Sequence, residues 1–227
     1  MGGGCYARVM PRYDKATALI VVDAQNDFAD PGGSLSVTGG AEVVPTIDVE
    51  IAKATVAGAF IVFTQDWHPR STPHFAKDGG LWPVHCLTDS WGAALHPDIV
   101  APQDAPRVRK GAHGEDGYSG FAMRDPTTGD ETPTELDGLL RARGVQRVVV
   151  VGLATDYCVK ATSLDAVRLG YKTGLVTNAI AAVNLTPGDG ARAIEEMIAA
   201  GVEPLGEEGP LARDPHGPAT SGNVPAR

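Results

Sequence analysis

The chain has 227 residues, 43% of them hydrophobic and 21% charged, with a formal net charge of −9. That length and apolar content suit a single domain with a sizeable core. The acidic balance excludes nucleic acid and anionic membranes as the main partners, since both reward clustered Lys and Arg.

No run of about 18 apolar residues is present, so no membrane span is expected. The opening MGGGCYARVMPRYD lacks the continuous apolar core of a signal peptide. Three cysteines, Cys5, Cys86 and Cys158, make a poor disulfide framework. The expected setting is therefore the cytoplasm, with reduced thiols.

Residues 1–15 read as a flexible leader and 206–227, rich in Gly and Pro, as a flexible tail, leaving a single domain over 16–205. Within that body, TALIVVD (17–23) has the pattern of a buried strand. EVVPTIDVEIAKATVAG (42–58) has helical spacing in Val44, Ile47, Ile51 and Ala54, with Pro45 expected in its first turn. AFIVFTQ (59–65) is a second strand and RVRK (107–110) a weaker third. TELDGLLRARG (134–144) reads as a helix ended by glycine, and QRVVVVG (146–152) as the clearest strand. TDYCVKATSLDAVRLGY (155–171) reads as a helix with Thr155 as its N-cap. KTGLVTN (172–178), a helix over 186–201 and a short strand over 202–205 complete the chain. Continuous apolar strands separated by helices predict a parallel sheet covered on both faces. In such sheets ligands bind beyond the carboxyl ends of the strands, which singles out Asp23, Asp66, Lys110 and Cys158.

Each of these has an ordinary reading beside a chemical one. Cys158, in the first turn of its helix, would have free N–H groups and the helix dipole to favour a thiolate, but most free cysteines are small buried hydrophobes. Asp23 could cap a turn or act as an acid–base group. Asp27, further into the loop, reads as a turn or surface acid. Lys110 is a solvated charge unless it points inward, where it could hold Asp23 and lower the thiol pKa. Three of the six histidines, His68, His74 and His85, follow Asp66 within QDWHPRSTPHF and the segment after it. One carboxylate and three imidazoles suit a borderline divalent ion, yet the spacing matches no compact metal motif, and a polar loop with scattered histidines reads equally well.

Taken together, VVDAQNDF (21–28), GGSLSVTGG (32–40), QDWHP (65–69), HF (74–75), LWPVHC (81–86), RKGAH (109–113), YSGF (118–121) and GLATDYCV (152–159) resemble the nicotinamidase/pyrazinamidase family of isochorismatase-like cysteine hydrolases. The eight segments occur in that family's order. The resemblance implies a three-layer α/β/α sandwich with a six-stranded parallel sheet. It implies a catalytic triad of Asp23, Lys110 and Cys158. It also implies one divalent metal, Zn, Fe or Mn, on Asp66, His68, His74 and His85. A cis peptide at Leu153–Ala154 is implied too, turning the Ala154 N–H toward an oxyanion beside that of Cys158. Phe28 and Trp82 are implied as walls for the substrate ring, with Tyr118 a further wall and Tyr157, often histidine in this family, tuning pocket polarity. The implied reaction converts nicotinamide, and also pyrazinamide, to the acid and ammonia through a Cys thioester, in NAD salvage. Two rival readings remain: a hydrolase of the same scaffold acting on a vinyl ether or N-carbamoyl compound, and a silent binder of pyridine carboxamides. The oligomeric state is open between a monomer and a homo-oligomer.

Overall fold

The structure is a computed structural model and describes residues 12–206. Its elements in chain order are β1 (Thr17–Val22), the short helix α1 (Asn26–Ala29), α2 (Gly40–Ala57), β2 (Phe60–Asp66), β3 (Arg107–Lys110), β4 (Ala122–Arg124), β5 (Glu131–Pro133), α3 (Leu136–Ala142), β6 (Arg147–Leu153), a π-helical turn (Thr155–Val159) leading into α4 (Lys160–Arg168), β7 (Lys172–Ala181), α5 (Asp189–Ala199) and β8 (Glu203–Leu205). Six strands form one parallel sheet in the order β3-β2-β1-β6-β7-β8. From β1 the chain winds outward to β2 and β3, then returns to β6 and winds the other way. The switch point therefore lies between β1 and β6.

The apolar runs supply both faces of this sheet. Leu19, Val21, Ile61, Phe63, Val149 and Val151 pack with Val43, Val44, Ile47, Ile51 and Ala54 of α2. Ala18, Ile20, Val22, Val62, Val148 and Val150 point the opposite way, onto Leu136 and Leu140 of α3, Ala166 of α4 and Met197 of α5. Alternate side chains of one strand thus serve two cores, which is why these strands read as continuous rather than alternating. Each fully buried Val, Leu or Ile contributes about 1.5–3 kcal/mol. The expected three-layer α/β/α sandwich is what forms.

Several local expectations are corrected. The helix α2 starts at Gly40 behind a left-handed Gly39, so Pro45 is its sixth residue and lies in the second turn. The helix continues there because its buried face spans both sides of the proline. Ala154, not Thr155, caps the helix after β6, and no side chain makes a cap bond; Thr155 is already inside the π turn and buried. Asp27 is a buried acid, accepting from the Ser34 and Cys86 amides. Of the leader, Arg12 and Tyr13 are buried, with the Tyr13 hydroxyl donating to Glu50 at 2.6 Å, so the packed body begins before residue 16. The rest of the leader and residues 207–227 lie outside the described residues. The antiparallel β4–β5 pair was not foreseen because its residues are exposed or half-buried and carry no apolar alternation. Among the described residues no helix is long and apolar enough to cross a membrane.

Gly152 closes the sheet beside the switch point. Its φ is +116°, and a Cβ there would stand 2.0 Å from the Val22 carbonyl oxygen. Gly152→Ala is expected to destabilise the protein by at least about 2–4 kcal/mol through overpacking and backbone strain. An unchanged urea midpoint would show that the β1–β6 contact yields more easily than this geometry implies.

Candidate active site

Sheet register brings the polar groups together. Asp66 and Lys110 are the last residues of β2 and β3 and face each other as ladder partners. Asp23 follows β1, which lies between β2 and β6, and Cys158 follows β6. Asp23 has φ +45°, and its N–H bonds the Thr64 carbonyl of β2 at 3.2 Å. Gln25 ties the same two strand ends: its side-chain amide donates to the Asp66 carbonyl and accepts from the Asp66 N–H, both at 2.8 Å.

Lys110 is 0% exposed. Its ammonium donates to Asp23 Oδ2 at 2.7 Å and to the Gly117 carbonyl, and pairs with Asp66 Oδ1 at 2.9 Å. The contact with Asp66 is an ion pair and not a hydrogen bond, and the Tyr118 carbonyl accepts weakly at 3.5 Å. The other Asp23 oxygen accepts from the Thr64 hydroxyl at 2.6 Å. Sulfur and carboxylate ligand atoms of Cys158, Asp23 and Asp66 all lie within 4.8 Å of one another. The lysine that could have been a surface charge is the centre of a buried cluster.

Burial sets the protonation states here. It raises Asp23 above the ordinary carboxylate range, with Asp66 adding to the effect and Lys110 opposing it. Burial also pushes the Cys158 thiol well above its usual value, again against Lys110. Lys110 does act to lower the thiol pKa, as expected of an inward-pointing lysine, but loss of hydration outweighs it. For Lys110 burial favours the neutral amine, but Asp23 and then Asp66 outweigh it and hold the ammonium well above its usual range. Burial raises Asp66 too, yet Lys110, followed by His68 and His85, holds its carboxyl well below the usual range.

Asp66 also faces the histidines. Its Oδ2 stands 3.6 Å from His68 Nε2 and 3.7 Å from His85 Nε2, too far for hydrogen bonds. The three imidazoles of His68, His74 and His85 each place a ring nitrogen within 4.8 Å of the others. His85 Nδ1–H donates to the Pro83 carbonyl at 2.7 Å, and His74 Nδ1–H donates to Asp116 Oδ1 at 2.7 Å, so each presents Nε2 inward. Burial lowers the His74 pKa, which keeps a neutral, ligand-competent ring. Neither ring nitrogen of His68 has a hydrogen-bond partner among the described residues, although the ring is buried. Gly111 (φ +73°) walls off its Nδ1 side, since a Cβ there would come within 2.6 Å of that atom. A buried imidazole without partners, beside a carboxylate and two inward Nε2 atoms, fits a divalent cation. Donor atoms about 2.1 Å from one ion stand roughly 3–3.5 Å apart, close to the Asp66–histidine spacings.

Both clusters open into one cleft, lined by Phe28, Asp66, Trp82, Tyr118, Tyr157 and Cys158 among others. All four aromatics expected to wall the site are there. The Trp82 indole N–H donates to the Tyr118 hydroxyl at 2.9 Å, and Trp82 meets the Tyr157 ring edge-on at 4.8 Å between centroids. Ala154 lines the same cleft, and the Leu153–Ala154 peptide is cis. Leu35 and Val183 are lining residues that sequence reasoning did not select. Asp156 was missed as well; its carboxylate accepts the Val183 and Asn184 amides and so ties the thiol-bearing turn to that wall. Asp116 carried no signal in the sequence beyond its place in a glycine-rich loop.

The fold and cleft define a three-layer α/β protein with an acid, a lysine and a thiol at its topological switch point, beside a histidine cluster. An isochorismatase domain matches residues 17–208. The nicotinamidase/pyrazinamidase of Mycobacterium tuberculosis is 41% identical over 193 residues, covering 82% of this chain and 96% of that protein. The nicotinamidase of Escherichia coli is 38% identical over 200 residues, covering 81% and 92%. Among solved structures, the pyrazinamidase of Pyrococcus horikoshii in complex with zinc superposes with a TM-score of 0.76 at 39% identity, covering 85% of this chain and 99% of that one. The chain belongs to the isochorismatase-domain family.

Proposed function

We propose that this chain is a metal-containing cysteine amidohydrolase that converts nicotinamide to nicotinate and ammonia, and pyrazinamide to pyrazinoate. The observation that carries the reading is Asp66: one oxygen pairs with Lys110 of the acid–lysine–thiol cluster and the other faces the histidines, so one cleft holds both. Relatives at 38–41% identity over most of their length carry nicotinamidase names, which supports it.

In this reading the substrate ring lies between Phe28 and Trp82, with Tyr118 and Tyr157 closing the cleft. Asp23 takes the proton of the Cys158 thiol as the sulfur bonds to the carboxamide carbon. The carbonyl oxygen becomes an oxyanion held by the Ala154 and Cys158 N–H groups, at about 3 kcal/mol per donor. Asp23 then passes that proton to the departing nitrogen, the C–N bond breaks, and ammonia leaves a thioester. Water gives a proton to Asp23 and adds its oxygen to the thioester carbon. The C–S bond breaks, and the sulfur recovers the proton from Asp23. The raised pKa of Asp23 makes it a stronger base for removal of the Cys158 proton. Lys110 stays charged and keeps Asp23 oriented. A Zn²⁺, Fe²⁺ or Mn²⁺ ion on Asp66, His68, His74 and His85 would supply Lewis-acid attraction for a ring nitrogen. The product's use in NAD salvage, and a cytoplasmic setting where the thiol stays reduced, belong to the same proposal.

The test is ammonia release from nicotinamide and pyrazinamide, with and without chelator. Release from both, lost on chelation and restored by one of the three ions, is expected. Turnover only of a vinyl ether or N-carbamoyl compound favours the first rival, and tight binding without turnover favours the silent binder. His68→Ala is expected to lower bound metal to well below one per chain and to weaken substrate binding. Unchanged stoichiometry by elemental analysis would remove His68 from the ligand set.

A further inference from the structure

Of the three clustered histidines, His74 alone has its outer nitrogen held by a side chain, that of Asp116, at 2.7 Å; His85 uses the Pro83 carbonyl, and His68 has no partner among the described residues. We infer that Asp116 is a positioning residue for the metal site: it fixes the tautomer and ring plane of His74 so that Nε2 is directed to the ion. The inference rests on the reading of the histidine cluster as a metal centre.

The placement of Asp116 is built by structure remote from the cluster. Its N–H donates to the Arg124 carbonyl at 2.8 Å, and the Arg124 N–H returns to the Asp116 carbonyl at 2.9 Å. Arg124 is the last residue of β4, which pairs with β5 through Arg124–Glu131. The hairpin thus acts as a bracket for one carboxylate. A second tie joins the same two loops: the Thr72 hydroxyl donates to the Gly114 carbonyl at 3.0 Å and accepts the His74 N–H at 3.2 Å. The glycine-rich loop therefore holds both the backbone and the ring of His74. A carboxylate on the outer N–H of a ligating imidazole selects the tautomer with its lone pair inward and makes that nitrogen more basic.

The experiment compares zinc affinity of the metal-free full chain, by competition with a chromophoric chelator, in wild type, Asp116→Ala, Asp116→Asn, His74→Ala and the His74→Ala/Asp116→Ala pair. Asp116→Ala is expected to weaken zinc binding about 10–100-fold, with Asp116→Asn, which keeps an acceptor but no charge, in between. In the His74→Ala background the alanine change should shift the constant less than about twofold, because the two residues act as one unit. Asp116→Ala at wild-type affinity overturns the inference, even if the apo protein melts lower, because that pattern means a structural role only. A full loss that persists without His74 overturns it as well. The backbone pairing with Arg124 does not use the side chain; should the alanine variant fail to fold, the asparagine variant carries the same comparison in both backgrounds. A wild-type chain that binds no zinc, iron or manganese removes the metal reading itself, and this inference with it. That outcome is distinct from tight wild-type binding with Asp116 silent.

Discussion

Replacing Cys158 with alanine is expected to reduce ammonia release from nicotinamide by roughly four orders of magnitude or more, the scale seen when a nucleophile is removed. Among the described residues no other cysteine can substitute. Cys86 is fully buried, donates weakly to the Gly92 carbonyl, and burial raises its pKa well above the usual value. The variant should fold and bind one metal per chain, because none of the four proposed ligands contacts the metal through Cys158. Burial raises the Cys158 pKa well above its usual value, against the opposing pull of Lys110. Alkylation of the free enzyme by iodoacetamide should therefore be slower at neutral pH than for an exposed cysteine, and should accelerate only at higher pH than for one. Turnover near the wild-type rate in the alanine variant would sink the thiol mechanism. Rapid alkylation at pH 6 would sink the argument that burial dominates over Lys110.

Lys110→Met should be the most damaging single change to the site as a whole. The methionine fills similar volume but leaves Asp23 and Asp66, both buried, with no cation between them. Breaking a buried ion pair by removing one partner costs about 3–5 kcal/mol, because the remaining charge is uncompensated. The two carboxylates then raise each other's pKa, and Asp23 is driven further toward its protonated form, which cannot accept the thiol proton. The expected result is an unfolding free energy, from urea titration, lowered by that amount and loss of more than about 100-fold in ammonia release, the lower end of a general-base contribution. A variant within about 1 kcal/mol of wild type would mean that the pair is weaker than its burial implies, as exposed pairs generally are. Arginine is not expected to rescue: its planar guanidinium does not fit the compact site where the ammonium bonds Asp23 and the Gly117 carbonyl and pairs with Asp66.

Much of this site was visible in the chain before any fold. The runs ALIVV (18–22) and VVVV (148–151) are apolar at every position because each serves two faces, and that alone points to a parallel sheet with polar residues at its strand ends. The eight ordered segments carried the family, and with it the expected triad, metal and wall residues. What could not be read is of another kind. Asp27 looked like a surface acid because its burial depends on the Ser34 and Cys86 amides folding over it. The helix start at Ala154 was missed because a capping propensity at Thr155 lost to the tight π turn that follows β6. That burial outweighs Lys110 at the Cys158 thiol was not legible either, because loss of hydration has no signature in spacing.

By itself, then, the sequence determined the layers, the strands, the residues at their carboxyl ends and the family. Those follow from local periodicity and from motifs only a few residues long. The tertiary structure alone decided that Lys110 and Asp23, 87 residues apart, lie 2.7 Å from each other, that burial pushes the Cys158 thiol pKa up, and that Asp116 reaches His74 across a gap of 42 residues. Strand order and ladder register set these meetings, and both are products of long-range hydrogen bonding and shared cores rather than of any short stretch of chain.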